Sequence, residues 1–286
     1  MPYTTLISTT ALTTQLNSPD WVILDCRFNL AQPEEGETLY RTAHIPGARY
    51  AHVDRDLSGV KTGRNGRHPL PDMEIFKTRL AAWGITPTTQ VIAYDQHNGV
   101  YASRAWWLLR YLGHTAVAVL EGGFAKWQRE GHPTSAGEEK LADVSVNSWA
   151  NRQPDPTILV TLATVEQLRL DPAWRLVDSR APDRFAGQNE TLDPVAGHIP
   201  DAVNHFYLNN VQSDGTFLPI EQLRANFQNV LGATPLDQVV VYCGSGVTAC
   251  HNLLALEVAG LVGAKLYPGS WSEWCAEPQR PVASVS

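Results

Sequence analysis

The sequence predicts an α/β protein made of two tandem copies of one domain, each a mostly parallel sheet with helices on both faces. Three observations lead there. The chain has 286 residues, which suits two domains better than one. Short motifs recur in the same order in both halves. Short buried-looking apolar runs alternate with amphipathic stretches, the pattern of strands linked by helices.

The repeat is read residue by residue. Asp25-Cys26-Arg27 corresponds to Asp178-Ser179-Arg180, and His44-Ile45-Pro46-Gly47-Ala48 to His198-Ile199-Pro200-Asp201-Ala202. Val91-Ile92-Ala93-Tyr94-Asp95 corresponds to Val239-Val240-Val241-Tyr242-Cys243, and Gly122-Gly123-Phe124 through Trp127 to Gly269-Ser270-Trp271 through Trp274. The order and nearly constant spacing place a first domain at 1–138, a linker at 139–156 and a second domain at 157–286. Glu138, Glu139, Asn151, Pro154 and Pro156 give the joining stretch its linker composition.

The runs 21–24, 91–94, 116–120, 176–177, 239–242 and 265–267 are β-branched or apolar, as in strands buried on both faces. Stretches 103–111, 221–230 and 247–260 are amphipathic and predict helices stopped at Gly113, Gly232 and Gly260. Ligands of such sheets bind beyond the carboxyl ends of the strands, where Asp95 and Cys243 fall.

A net charge of −7 argues against nucleic acid or an anionic membrane as partner. The N-terminus has no basic and apolar signal-peptide pattern, and no run approaches a membrane span, so a cytoplasmic protein is expected. There the four cysteines should be free thiols. No C-x-x-C pair occurs and the nine histidines are scattered, so neither a metal nor a cofactor is expected.

Attention therefore falls on single cysteines. Cys243 follows a strand and opens Gly244-Ser245-Gly246-Val247-Thr248, leading into a helix. The two glycines let backbone N–H groups turn inward as an anion-holding nest, with the positive end of the helix dipole behind them. This is a setting for a nucleophilic sulfur and for an anionic persulfide. A merely packed cysteine needs no such loop. Cys250, farther into the helix, and Cys275, after Trp274, read as packing or surface thiols, with a resolving role open for Cys250.

The tandem repeat, the two His-Ile-Pro-x-Ala motifs and the Cys-Gly-Ser-Gly-Val-Thr-Ala loop resemble the two-domain sulfurtransferases, the family of rhodanese and 3-mercaptopyruvate sulfurtransferase. The resemblance covers nearly the whole chain. It implies two rhodanese-like domains, with Asp95 marking the first as non-catalytic and Cys243 as catalytic nucleophile of the second. The neutral loop is similar to that of the mercaptopyruvate branch, since thiosulfate enzymes carry Arg and Lys after the cysteine. The resemblance implies that Ser245 polarises or protonates the departing enolate, that Gly244, Gly246, Val247 and Thr248 hold the substrate end, and that Arg184 binds the donor carboxylate. A guanidinium fork suits that task. A second arginine, usual about nine residues later, is absent from 188–193; Arg49, Arg64 and Arg67 are candidates to replace it. His44 has two readings, a brace of its own domain or a hydrogen-bond partner of substrate or Ser245, whereas His198 reads as a brace.

The implied reaction moves a sulfane sulfur from a small-molecule donor, 3-mercaptopyruvate or alternatively thiosulfate, to a thiol such as thioredoxin or to cyanide. Two competing classes are weaker. A phosphatase of related fold would need an arginine in the loop, and none occurs from Cys243 to Cys250. A non-catalytic binding module would have lost the nucleophile.

Overall fold

The computed structural model describes residues 1–139 and 146–285. They form two compact units. The first comprises 1–59, 71–139, 146–155 and 212–217, the second 60–70, 156–211 and 218–285.

In the first unit, strands β1 (Leu6–Ile7), β2 (Trp21–Asp25), β3 (Arg49–Tyr50), β4 (Gln90–Tyr94) and β5 (Val117–Leu120) form a sheet in the order β1-β5-β4-β2-β3. Every pairing is parallel. Its helices are α1 (Thr9–Thr13), α2 (Glu35–Thr42), α3 (Met73–Ala82), α4 (Ala102–Tyr111) and α5 (Gly123–Arg129). β4 is buried at every position, which explains why it reads as a continuous apolar run rather than an alternating one. Asp72 starts α3 by accepting from the N–H groups of Glu74 and Ile75.

The second unit repeats the plan. It contains β6 (Arg175–Asp178), β7 (Val203–Asn204), β8 (Val239–Tyr242) and β9 (Lys265–Leu266), in the order β7-β6-β8-β9. All are parallel, and a single bridge between Leu159 and Leu266 stands where β1 stands in the first unit. Its helices are α6 (Leu162–Leu168), α7 (Pro182–Phe185), α8 (Ile220–Leu231), α9 (Thr248–Val258) and α10 (Ser270–Trp274). α8 ends at Gly232, whose φ of +60° falls where glycine is favoured.

The same sequence motifs make the same bonds in both units. Arg27 pairs with Asp25 at 2.6 Å and donates to the Ala43 carbonyl; Arg180 pairs with Asp178 at 2.7 Å and donates to the Gly197 carbonyl. Arg27 lies over Phe124 at 4.2 Å and Arg180 over Trp271 at 4.9 Å. The indoles of Trp127 and Trp274 donate to the carbonyls of Pro133 and Pro281. These buried ion pairs lock the ends of β2 and β6 beside β4 and β8, fixing where Asp95 and Cys243 begin their loops.

Two details differ from the sequence reading. Residues 60–70 pack with the second unit, because Gly66 sits against Gly269 and the Arg67 N–H donates to Ser272 Oγ at 3.0 Å. Residues 146–155, read as linker, pack with the first unit: Trp149 is fully buried, its indole donating to the Ile85 carbonyl, and the Asp155 N–H donates to the Tyr111 carbonyl. Linker positions 140–145 lie outside the described residues. No helix among the described residues is long and apolar enough to cross a membrane.

Candidate active site

β8 ends at Tyr242 and the chain turns at once through Cys243-Gly244-Ser245-Gly246-Val247 into α9. The turn is held from outside by the start of α10. The N–H groups of Trp271 and Ser272 donate to the carbonyls of Cys243 and Gly244, each at 2.9 Å. Ser270 adopts a φ of +57°, unusual for a residue with a side chain, and its hydroxyl accepts from the Cys243 N–H at 3.1 Å while donating to the Tyr267 carbonyl. With the carbonyls turned outward, the loop N–H groups face inward. Cys243 Sγ accepts from Gly246 N–H at 3.0 Å and from Ser245 N–H at 3.4 Å. Gly246 has a φ of +78° and lies against the Pro268 carbonyl, so no side chain fits there.

Val247 caps α9 and Thr248 opens it, so both belong to the first turn, where helix N–H groups lack partners within the helix. Cys250 is buried, with its thiol 3.2 Å from the Gly246 carbonyl, so it braces the loop from behind. Burial pushes the other thiols up, Cys26 well above the ordinary cysteine value and Cys275 to about 11 with Asp193 adding to the shift. Neither is a ready nucleophile.

The Ser245 hydroxyl lies 2.7 Å from His68 Nδ1. His68 and its neighbour Arg67 come from the 60–70 segment of the same unit. Arg67 pairs with Asp193, and its Nη2 stands so close to Gly244 that a Cβ there would meet it at 2.7 Å. Arg184 reaches the same spot from α7, with Nη2 3.5 Å from that position. Arg184 is not an open fork, however. Its Nε and Nη2 donate to Glu190 at 3.1 and 2.8 Å, and Nη2 also approaches Asp193 at 3.4 Å. Burial would raise the pKa of Glu190, but the Leu192 N–H and Arg184 outweigh it and hold the carboxyl below its usual range.

The first unit supplies an internal comparison. Asp95, the counterpart of Cys243, fills its own loop: Oδ1 accepts from the N–H groups of His97 and Gly99, and Oδ2 from those of Tyr101 and Ala102. Gly123, at a φ of +58°, takes the place of Ser270. Both loops are anion cradles, one plugged by its own carboxylate and the other holding a sulfur.

The structure thus brings Cys243, Gly244, Ser245, Gly246, Val247, Thr248 and Arg184 together, but not His44. That side chain is buried in the first unit, stacked on Tyr40, with Nδ1 at the Tyr40 carbonyl and Nε2 3.2 Å from Glu139. His198 repeats the arrangement on Phe185, so both histidines of the repeated motif are braces. His68 was missed from the sequence, and Arg67, one of the candidates for the guanidinium absent from 188–193, stands against Gly244 with Asp193 as its ion-pair partner. No cluster of His, Cys, Asp and Glu suited to a metal occurs among the described residues.

Comparison with known proteins adds to this geometry. The family described as Rhodanese-like domain matches residues 8–130 and 161–277. A Pseudomonas aeruginosa protein described as "Probable 3-mercaptopyruvate sulfurtransferase" is 46% identical over 281 residues, covering 98% of each chain. The thiosulfate sulfurtransferase of Rattus norvegicus is 33% identical over 284 residues, covering 95% of this chain and 92% of its own. Among solved structures, the 3-mercaptopyruvate sulfurtransferase from Leishmania major superposes with a TM-score of 0.86 at 30% identity, over 97% of this chain and 75% of that one. SseA from Escherichia coli gives 0.82 at 30% identity, over 94% and 99%.

Proposed function

The chain belongs to the two-domain sulfurtransferases with rhodanese-like domains, and from that premise we propose that Cys243 is the nucleophile and 3-mercaptopyruvate the sulfur donor. The observation that carries the proposal is the pairing of two tasks in one loop. Backbone N–H groups of Ser245 and Gly246 hold Sγ, and the Ser245 hydroxyl is joined to His68 at 2.7 Å.

The Cys243 thiolate attacks the donor sulfur. An S–S bond forms, the C–S bond breaks, and its electron pair passes to pyruvate as an enolate. The Ser245 hydroxyl gives the enolate a proton, and His68 replaces that proton through Nδ1. The donor's thiol proton leaves the transferred sulfur for solvent, and the persulfide remaining on Cys243 is then an anion held by the same N–H groups. A thiol acceptor such as reduced thioredoxin, or cyanide, then takes the outer sulfur and restores the thiolate. None of the four cysteines is in a disulfide, which suits a cytoplasmic setting for this cycle.

Thiosulfate is the second reading. It is favoured by Arg67, which adds a cation beside a loop that is neutral in sequence. Steady-state rates with the two donors side by side test the assignment. The expected result is a higher kcat/KM for 3-mercaptopyruvate, and a clear preference for thiosulfate would reverse it.

A further inference from the structure

We propose that Arg67, oriented by Asp193, is a donor-binding residue that takes the carboxylate of the incoming substrate above Gly244. This rests on the reading of Cys243 as the residue that meets the donor. Arg67 lies on an irregular segment remote in sequence from the loop it covers, yet within the same compact unit. Its backbone is tied down by the Ser272 hydroxyl, and its Nη1 by Asp193. Nη2 is left pointing at Gly244, where only the missing side chain lets it approach.

Asp193 is the element that makes this a built site. Its side chain is 2% exposed, and it touches both Arg67 and Arg184, holding the two guanidinium groups on either side of one position. Arg184 commits both Nε and Nη2 to Glu190, with Nη2 also near Asp193, so Arg67 Nη2 is the donor that bears on Gly244 and Arg184 stands beside it. Both Nη2 atoms lie near one spot over Gly244, the residue that follows Cys243. Around it Arg67, Arg180 and Arg184 are matched in number by Asp178, Glu190 and Asp193, all linked by ion pairs. A charge-balanced cluster with directed donors selects a single carboxylate by geometry rather than by bulk positive charge.

Alkylation tests this without sulfur transfer. Iodoacetate and iodoacetamide share size and leaving group but differ in charge; in each case the Cys243 sulfur bonds to carbon and iodide departs. Rates at Cys243 would be read by peptide mapping in the wild type, R67M and the charge swap R67D/D193R. In R67M the iodoacetate-to-iodoacetamide rate ratio should fall about 10-fold or more, the worth of one charge-assisted hydrogen bond. The iodoacetamide rate should stay within about twofold and KM for 3-mercaptopyruvate should rise in parallel. The swap, which returns a guanidinium from the other side of the pair, should recover most of the ratio. An unchanged ratio in R67M overturns the proposal, and so does an equal fall with both reagents, which would make Arg67 a prop of the loop. If the ratio behaves as expected while 3-mercaptopyruvate is not turned over, the clamp stands and the donor assignment fails.

Discussion

Replacing Ser245 with alanine separates the two tasks of the loop. The variant keeps the backbone N–H groups that hold Sγ, since both belong to the main chain. It loses only the hydroxyl that lies 2.7 Å from His68. A positioned proton donor contributes on the order of 10²- to 10⁴-fold to a rate. At about 1.4 kcal/mol per tenfold, that is about 3–5 kcal/mol of transition-state stabilisation. The loss should fall on one donor. An enolate leaving group needs a proton, whereas sulfite departs from thiosulfate as a stable anion. Rapid-quench measurement of pyruvate release in a single turnover should therefore slow by at least about 100-fold, while sulfite release from thiosulfate changes less than about threefold. Wild-type pyruvate release in S245A, or an equal loss with both donors, would refute proton delivery by Ser245.

Two further outcomes concern stability. Asp178 and Arg180 form a pair whose side chains are 0% and 1% exposed, so D178N takes one carboxylate from a buried cation that keeps Glu190 and the Gly197 carbonyl, and should cost about 1.5–3 kcal/mol in denaturant unfolding; a cost under about 1 kcal/mol would show that the pair is dispensable. Glu190 has a folded-state pKa below its ordinary value, so its contribution is full above the unfolded glutamate pKa of about 4.3 and is lost as pH falls through the lower folded value. The stability gap between wild type and E190Q should accordingly be flat above about pH 4.3 and shrink below it. A gap that widens on acidification would mean the sign is wrong.

Much of this was legible in the sequence. The repeat marked both sheets and the ends of β4 and β8, because buried parallel strands leave unmistakable apolar runs. Gly-Ser-Gly after Cys243 announced the cradle because a strand-to-helix turn with inward N–H groups needs those residues. His68 and Arg67 were less legible. Each sits in a stretch without periodicity, and packing, rather than any local pattern, brings that stretch to the Cys243 loop. Asp193 looked like a missing arginine because only its partner, 126 positions away, shows what it holds. His44 misled for the opposite reason. Its motif occurs in both copies, and the bracing role assigned to His198 was the better guide to it.

Intact-mass spectrometry after a single exposure to 3-mercaptopyruvate is the most direct measurement. One sulfur, about 32 Da, should be added per chain, mapped to Cys243, removed by cyanide or reduced thioredoxin, and absent from C243S. An unmodified chain that nevertheless releases pyruvate, or a persulfide mapped to Cys26, Cys250 or Cys275, would contradict sulfur transfer through Cys243.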